Sequence, residues 1–314
     1  MPVVPSTPEV PTVRPGTRRR LAVLGSPIVH SLSPVLHAAA YGVLGLDWEY
    51  TRAEVDSGGL AAFLSNLDDS WVGLSLTMPL KREVMPLLDA ASPLARRLGV
   101  ANTVVFTDAL SPVATNSTVR AMHGYNTDVA GIVRAVASRG AVHPERTTIL
   151  GGGATAASAL AAAAELGSAA VDVYLRDVTR ATDLVALAEA LGVSLDIRPL
   201  ESLDRVGARE FVISTLPGGV ADGFAASLVP ASAAAILFDV AYDPWPSVVA
   251  TAWSSRGGLV TSGLDMLVEQ AIGQIRLFSG VPDPEPLADE NRVREAMYAA
   301  IDREAPVGRA SVRS

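Results

Sequence analysis

From residue 146 to 240 the chain repeats one pattern, a short apolar run, a turn and a longer helical stretch. TTIL (147–150) reads as a strand, glycines 151–153 break it, and an alanine-rich helix runs to Leu166. Strand VDVYLR, a helix to Leu191, and strands SLDIRP, FVIST and AAILFDV follow. Such alternation predicts a parallel sheet covered by helices, and few other architectures accept it. A helix from about Asp128 to Arg139 leads into it. Upstream, LAVLG, WEYTRAE, WVGLSLT and ANTVVF read as strands with helical stretches between them, again as a parallel sheet. There Ser33-Pro34 starts a helix, the serine as its cap and the proline in its first turn. The chain has 314 residues, enough for about two domains, and the boundary falls near residue 127. A second crossing near 263, if the C-terminal helices return to the first domain, leaves no mark in the local pattern.

Composition removes several classes of function. With no cysteine, thiolate metal sites, disulfides and cysteine nucleophiles are out. The net charge of −8 argues against a nucleic-acid or anionic-membrane partner. No uncharged apolar stretch is long enough to span a bilayer. The Arg18-Arg19-Arg20 run precedes an apolar stretch that stops at Gly25-Ser26-Pro27, too soon for a secretory signal, so a cytoplasmic location is expected. Residues 1–17, with prolines at 2, 5, 8, 11 and 15, and residues 305–314 read as disordered tails. The four histidines (His30, His37, His123 and His143) have no metal-ligand spacing, so no metal is expected, and no G-x-S-x-G elbow points to a serine hydrolase.

Gly151-Gly152-Gly153-Ala154 joins a strand to a helix inside a βαβ unit. Glycines there allow a tight turn and close backbone approach, and a helix N-terminus attracts a pyrophosphate. A plain flexible turn is the alternative; the strand–turn–helix–strand context favours the dinucleotide. The next strand ends in Leu175-Arg176-Asp177-Val178-Thr179-Arg180, where the adenosine ribose is expected. Arg176 and Arg180 suit a 2′-phosphate, hence NADP, whereas Asp177 leaves NAD open.

The first domain is dense in hydroxyl and amide side chains at its strand ends. GSPIVHSLSP (25–34) follows a strand, TMPLK (77–81) follows another, ANT (101–103) opens a third, and GYNTD (124–128) enters a helix. GLDMLVEQA (263–271) comes near the C-terminus. In this order, with the glycine turn, these motifs resemble the shikimate dehydrogenase family over roughly residues 21 to 280. The resemblance implies an N-terminal α/β substrate domain (18–127, completed by 264–304), a C-terminal Rossmann-type NADP-binding domain (128–263), and an active site in the interdomain cleft. It implies NADPH-dependent, reversible reduction of 3-dehydroshikimate, a small-molecule partner. Carried over, Ser31, Ser33 and Tyr242 bind the substrate carboxylate. Thr77, Asn102 and Gln270 bind ring hydroxyls, Lys81 and Asp128 are the catalytic pair, and Gly263 and Met266 lie against the nicotinamide. One departure is Ser75, where the family often has asparagine; a hydroxyl replaces one amide hydrogen bond, not two. Quinate or an amino analogue of shikimate as substrate, a catalytically silent NADP-binding sensor, and monomer against homodimer all stay open.

Reducing a ketone needs a hydride at carbon and a proton at oxygen. Of the 25 basic residues Lys81 is the only lysine. An ammonium releases a proton when burial or a cationic neighbour favours it, and a guanidinium effectively never does. Lys81 is accordingly expected to donate the proton, with Asp128 as its partner.

Overall fold

The computed structural model describes residues 18–109, 119–140, 143–205, 207–281 and 285–304; both expected tails lie outside them. The chain forms two compact units. One runs to Thr127 and resumes at Ala271, and the other spans Asp128–Gln270.

In the first unit β1 (Arg19–Gly25), β2 (Trp48–Glu54), β3 (Trp71–Leu76), β4 (Ala90–Ala91), β5 (Thr103–Ala109) and β6 (Val119–Tyr125) make one sheet, ordered β2-β1-β3-β5-β6-β4. Helices α1 (Ser33–Leu44), α2 (Leu60–Leu64), α3 (Leu80–Glu83) and α4 (Pro93–Leu98) fall between strands in sequence. β1 is parallel to β2 and β3, but β5 is antiparallel to both β3 and β6. The sheet is therefore mixed, not parallel throughout. The segment after β3 carries two helices and reads as a crossover, yet it returns to the end of β3 that it left. There Leu76 N–H donates to Asn102 O at 2.7 Å, so β5 departs in the opposite direction. Every residue of β3 is buried.

The second unit begins with α5 (Asp128–Ala137) and continues through β7 (Arg146–Leu150), α6 (Ala154–Glu165), β8 (Ala170–Leu175), α7 (Thr182–Leu191) and β9 (Ser194–Pro199). β10 (Phe211–Ser214), β11 (Ile236–Asp239), α8 (Val248–Ser255) and β12 (Leu259–Ser262) complete its sheet. All pairings are parallel, in the order β12-β11-β10-β7-β8-β9. Numbered from β7, this is the doubly wound order of dinucleotide-binding folds, with the direction of winding reversing between β7 and β10. Six of the eight alanines of α6 are buried, which brings that helix close to its neighbours.

Helix α9 (Gly263–Phe278) starts in the second unit and ends in the first. The crossing sits between Gln270 and Ala271, within the helix, and not at its start near 263. Helix α10 (Glu290–Glu304) then packs on α1.

Candidate functional site

The sequence-predicted residues of the first unit gather at one end of its sheet, where β1 and β3 finish and β5 begins. Three loops meet there through backbone bonds. Ser26 N–H donates to Met78 O (2.9 Å), Thr77 N–H to Leu24 O (2.9 Å), and Ala101 N–H to Lys81 O (2.9 Å). Gly25 has no alternative at this crossing, since a Cβ would lie 2.3 Å from Thr77 Cγ2. Lys81, in the short α3, is buried, an unusual place for a lysine. Asn102 is buried as well, and its side chain is shared with Thr127. Asn102 Nδ2 donates to Thr127 Oγ1 and Asn102 Oδ1 accepts the Thr127 amide, both at 2.9 Å. Oδ1 also accepts Thr103 Oγ1–H at 2.9 Å. Asn102 thus fixes the residue that immediately precedes Asp128, which is fully buried at the start of α5.

The serine pair is arranged differently from the capping expectation. Ser33 is the first residue of α1, and the N-cap, Leu32, makes no side-chain cap. Ser31 Oγ accepts the Ser33 amide at 3.4 Å, so Ser31 does the capping. Ser33 itself is buried, and nearby Tyr50 donates its hydroxyl to Ser75 Oγ at 2.7 Å. Ser75 in turn donates to Gln274 Oε1 at 2.9 Å. Burial pushes the Tyr50 phenol up, against smaller opposing effects of Ser75 and Ser33, so it stays a protonated donor. Ser75 therefore spends its hydroxyl inside this unit, on Tyr50 and Gln274.

In the second unit the glycine turn lies at the winding reversal. Gly151 has φ +111°, and a Cβ there would meet Thr215 Oγ1 at 2.4 Å. A Cβ on Gly152 would touch Leu175 Cδ1 at 3.0 Å, while one on Gly153 would enter open space. Gly153 is the N-cap of α6 and offers no side chain, so the first amide groups of that helix, from Ala154, are left for a ligand. A dinucleotide pyrophosphate fits this cradle. At the end of β8, Leu175 is buried and Arg176 exposed; the Arg180 side chain lies outside the described residues. Asp177 Oδ1 accepts the Thr179 amide (3.1 Å) and hydroxyl (2.6 Å), capping the turn that follows.

The remaining predicted residues of this unit are also held by their surroundings. Asp239, at the end of β11, accepts the Ala241 amide (3.2 Å) and the Ser247 hydroxyl (2.7 Å), fixing the loop that carries Tyr242. Burial raises the Tyr242 pKa, with a smaller push from Asp243, so this phenol is a donor at neutral pH. Gly263 lets α9 begin against the β11 loop, since a Cβ would sit 2.0 Å from Val240 O. Met266 is buried and Gln270 half-buried, and both lean on Gly131 of α5. Among the described residues no group of His, Asp and Glu could hold a metal, and no helix is long and apolar enough to cross a membrane.

Sequence reasoning passes over Thr127, Tyr50, Arg52, Glu54 and Gln274. Of these Thr127 stands inside a site motif, while Tyr50, Arg52 and Glu54 lie in WEYTRAE, which reads only as a strand. The others act through partners far away in the chain, Ser75 and Gln274 being 199 residues apart.

Residues 23–104 match the family model of the shikimate dehydrogenase substrate binding domain. The chain is 31% identical over 290 residues to the shikimate dehydrogenase (NADP(+)) of Moorella thermoacetica, covering 89% of this chain and 94% of the relative. The crystal structure of Mycobacterium tuberculosis shikimate dehydrogenase superposes with a TM-score of 0.74 at 37% identity, covering 91% of this chain and 100% of that one. That of Thermus thermophilus shikimate 5-dehydrogenase in complex with NADP(H) and shikimate gives 0.70 at 30% identity, covering 90% and 99%. A doubly wound sheet with a glycine turn at its reversal, a second sheet with hydroxyls and a buried lysine at its strand ends, and this likeness over both lead to one conclusion: the chain belongs to the shikimate dehydrogenase family.

Proposed function

We propose that this chain catalyses the reversible, NADPH-dependent reduction of 3-dehydroshikimate to shikimate, a step of aromatic amino acid biosynthesis. The observation that carries the reading is the burial of the only lysine, Lys81, in the short helix α3 that follows β3. Its backbone is bonded to the segment that presents Asn102. Burying an ammonium is costly, and here it accompanies a strand-end layer of hydroxyl and amide groups suited to a polyol.

Bound NADPH supplies the hydride. In the direction of reduction Lys81 gives a proton to the carbonyl oxygen, and Asp128 acts with it, holding a substrate hydroxyl as an acceptor. Ser31, Ser33 and Tyr242 donate to the carboxylate, while Thr77, Asn102 and Gln270 take ring hydroxyls. Gly151, Gly152, Gly153 and Ala154 receive the pyrophosphate, and Gly263 and Met266 pack against the nicotinamide. Arg176, exposed at the end of β8, takes the 2′-phosphate through charge-assisted hydrogen bonds.

The test is a steady-state comparison of dehydroshikimate and dehydroquinate, each with NADPH and NADH, in wild type and Lys81→Arg. Wild type is expected to prefer dehydroshikimate with NADPH. Lys81→Arg keeps the charge, and should retain shikimate binding while losing at least about a hundredfold in kcat, the low end of a general acid's contribution. Near-wild-type turnover by Lys81→Arg would overturn the proton-donor assignment.

A further inference from the structure

Strand β2 lies at the edge of its sheet, and its alternate residues Tyr50, Arg52 and Glu54 point to one face. Each holds a different part of the loop between β1 and α1. Glu54 accepts the Ser26 hydroxyl at 2.7 Å and the Ile28 amide at 3.0 Å. Arg52 Nη1 donates to Val29 O and, at 3.2 Å, to Ser31 O. Tyr50 reaches Ser33 through His37, on which its ring is stacked and whose Nδ1 donates to Ser33 O at 3.0 Å. Reading along β2 from 50 to 54, the partners run backwards along the loop, from 33 through 31 and 29 to 28 and 26. Arg52 and Glu54 hold the loop at four points by direct hydrogen bonds, and Tyr50 adds a fifth, at Ser33, by way of His37. Exposed charges on an edge strand ordinarily serve only to discourage pairing with another chain. Here none of the three is simply solvated.

The two ends of this attachment differ in character. Tyr50 is buried, and its ring is stacked on His37 with centroids 3.8 Å apart, so its hydroxyl has a fixed position. Arg52 is exposed, yet a single guanidinium nitrogen bridges two carbonyls that face the same way. Two carbonyl oxygens brought together repel unless a donor joins them, so without Arg52 the peptide units after Val29 and Ser31 lose their common orientation.

The geometry points to β2 as the positioning element for carboxylate recognition: Arg52 and Tyr50, with Glu54, set the Ser26–Ser33 loop in its binding shape before substrate arrives. This rests on the reading above that Ser31 and Ser33 bind the substrate carboxylate. Neither Arg52 nor Tyr50 is a catalytic residue; each acts through a serine. The consequence is specific. Their loss weakens the ground state and the transition state alike, because the carboxylate does not change during reduction, and so it raises KM and leaves kcat alone.

Arg52→Met and Tyr50→Leu, the latter removing the ring that stacks on His37, test the idea in the full-length protein by two measurements. In shikimate oxidation with NADP+, each variant is expected to raise the shikimate KM about tenfold through lost preorganisation, with kcat within about twofold and the KM for NADP+ unchanged. In the ligand-free protein, the Ser26–Ser33 amides should exchange with solvent deuterium faster in Arg52→Met than in wild type, while β1 and β3 exchange at the wild-type rate. An Arg52→Met protein with raised KM but wild-type exchange in the loop would overturn the proposal, since Arg52 would then only attract an anionic substrate. An unchanged KM, or a fall confined to kcat, would overturn it equally. If wild type oxidised no shikimate with either cofactor, the proposed function would fall, and the ligand-free exchange comparison alone would decide whether β2 sets the loop.

Discussion

His37 is fully buried in α1 with its ring against Tyr50 and edge-on to Tyr41. Its Nδ1 lies 3.0 Å from Ser33 O, an acceptor only, so Nδ1 carries the proton and Nε2 is a bare buried nitrogen without a partner. Burial lowers the pKa to about 3, against a smaller opposing effect of the Ser33 carbonyl. In the unfolded chain His37 titrates near 6.5. Below that pH the unfolded chain takes up a proton that the folded protein refuses, so stability present at neutral pH falls as the pH drops from about 6.5 towards 3. The slope from this group is at most about 1.4 kcal/mol per pH unit. Urea denaturation at pH 7 and pH 5.5 should show the loss in wild type and a flatter profile in His37→Phe, which keeps the aromatic stack. An equal loss in both would mean that the proton is taken up elsewhere. At this scale the sequence exposes the identities of the site residues better than their duties. Ser31 and Ser33 stand out at spacing i, i+2, but which of them caps α1 depends on the Ser31 Oγ–Ser33 amide contact. The meaning of Ser75 depends on Gln274, which no local window contains.

The glycine turn between β7 and α6 separates two roles that a motif alone merges. Gly151 is required by the fold: its φ of +111° is costly for any other residue, and a Cβ would drive into Thr215 Oγ1. Gly153 is not required by the fold, since its φ is −83° and a Cβ would meet nothing within 4 Å. Gly151→Ala should therefore lose about 1–3 kcal/mol of stability from backbone strain. Gly153→Ala should melt as wild type does but bind NADP+ at least about tenfold more weakly, because the new methyl group occupies the approach to the α6 amides. Calorimetric titration and thermal melts of both variants check this, and wild-type affinity in Gly153→Ala would put the pyrophosphate elsewhere. The regular elements are legible wherever burial repeats with one period. WEYTRAE and SLDIRP coincide with β2 and β9 residue for residue. β6 is not legible. Its VRAMHGY contains a glycine and a histidine, and Gly124 is there because Leu88 fills the space, a Cβ coming within 2.2 Å of Leu88 Cδ1. The reversed direction of β5 is hidden for a related reason, since two intervening helices suggest a crossover that the chain does not make.

At the scale of the whole chain the two units are unequal in how they are assembled. The second is one continuous stretch, Asp128–Gln270, that contains all six strands of its sheet. The first is completed only by residues beyond 270. Phe278 covers Gly73 of β3, where a Cβ would come within 2.4 Å of its ring, Gln274 takes the Ser75 hydroxyl, and α10 lies on α1. Arg276 ties α9 to α10 through Glu290, with Nε 3.0 Å from the carboxylate and both side chains largely buried. Burial alone would raise the Glu290 pKa, but its bonds from Arg276 and the Leu287 amide outweigh burial and lower it. This pair therefore stabilises the protein above the usual carboxylate range and loses that contribution in acid. No local pattern announces the completion, because α9 keeps one helical period straight through the change of unit. A chain ending at Gln270 puts the asymmetry to the test. It should keep cooperative hydrogen-exchange protection in β7–β12 and bind NADP+ within about tenfold of the full-length affinity, since that sheet and its glycine turn are intact. Its β1–β3 amides should exchange as an unfolded chain does, and shikimate binding should be lost, because β3 and α1 would each have an apolar face open to water. Protected β1–β3 amides in the truncated chain would show that the first unit folds without its returning helices, and Phe278, Gln274 and Arg276 would then be additions to that fold, not parts of its core.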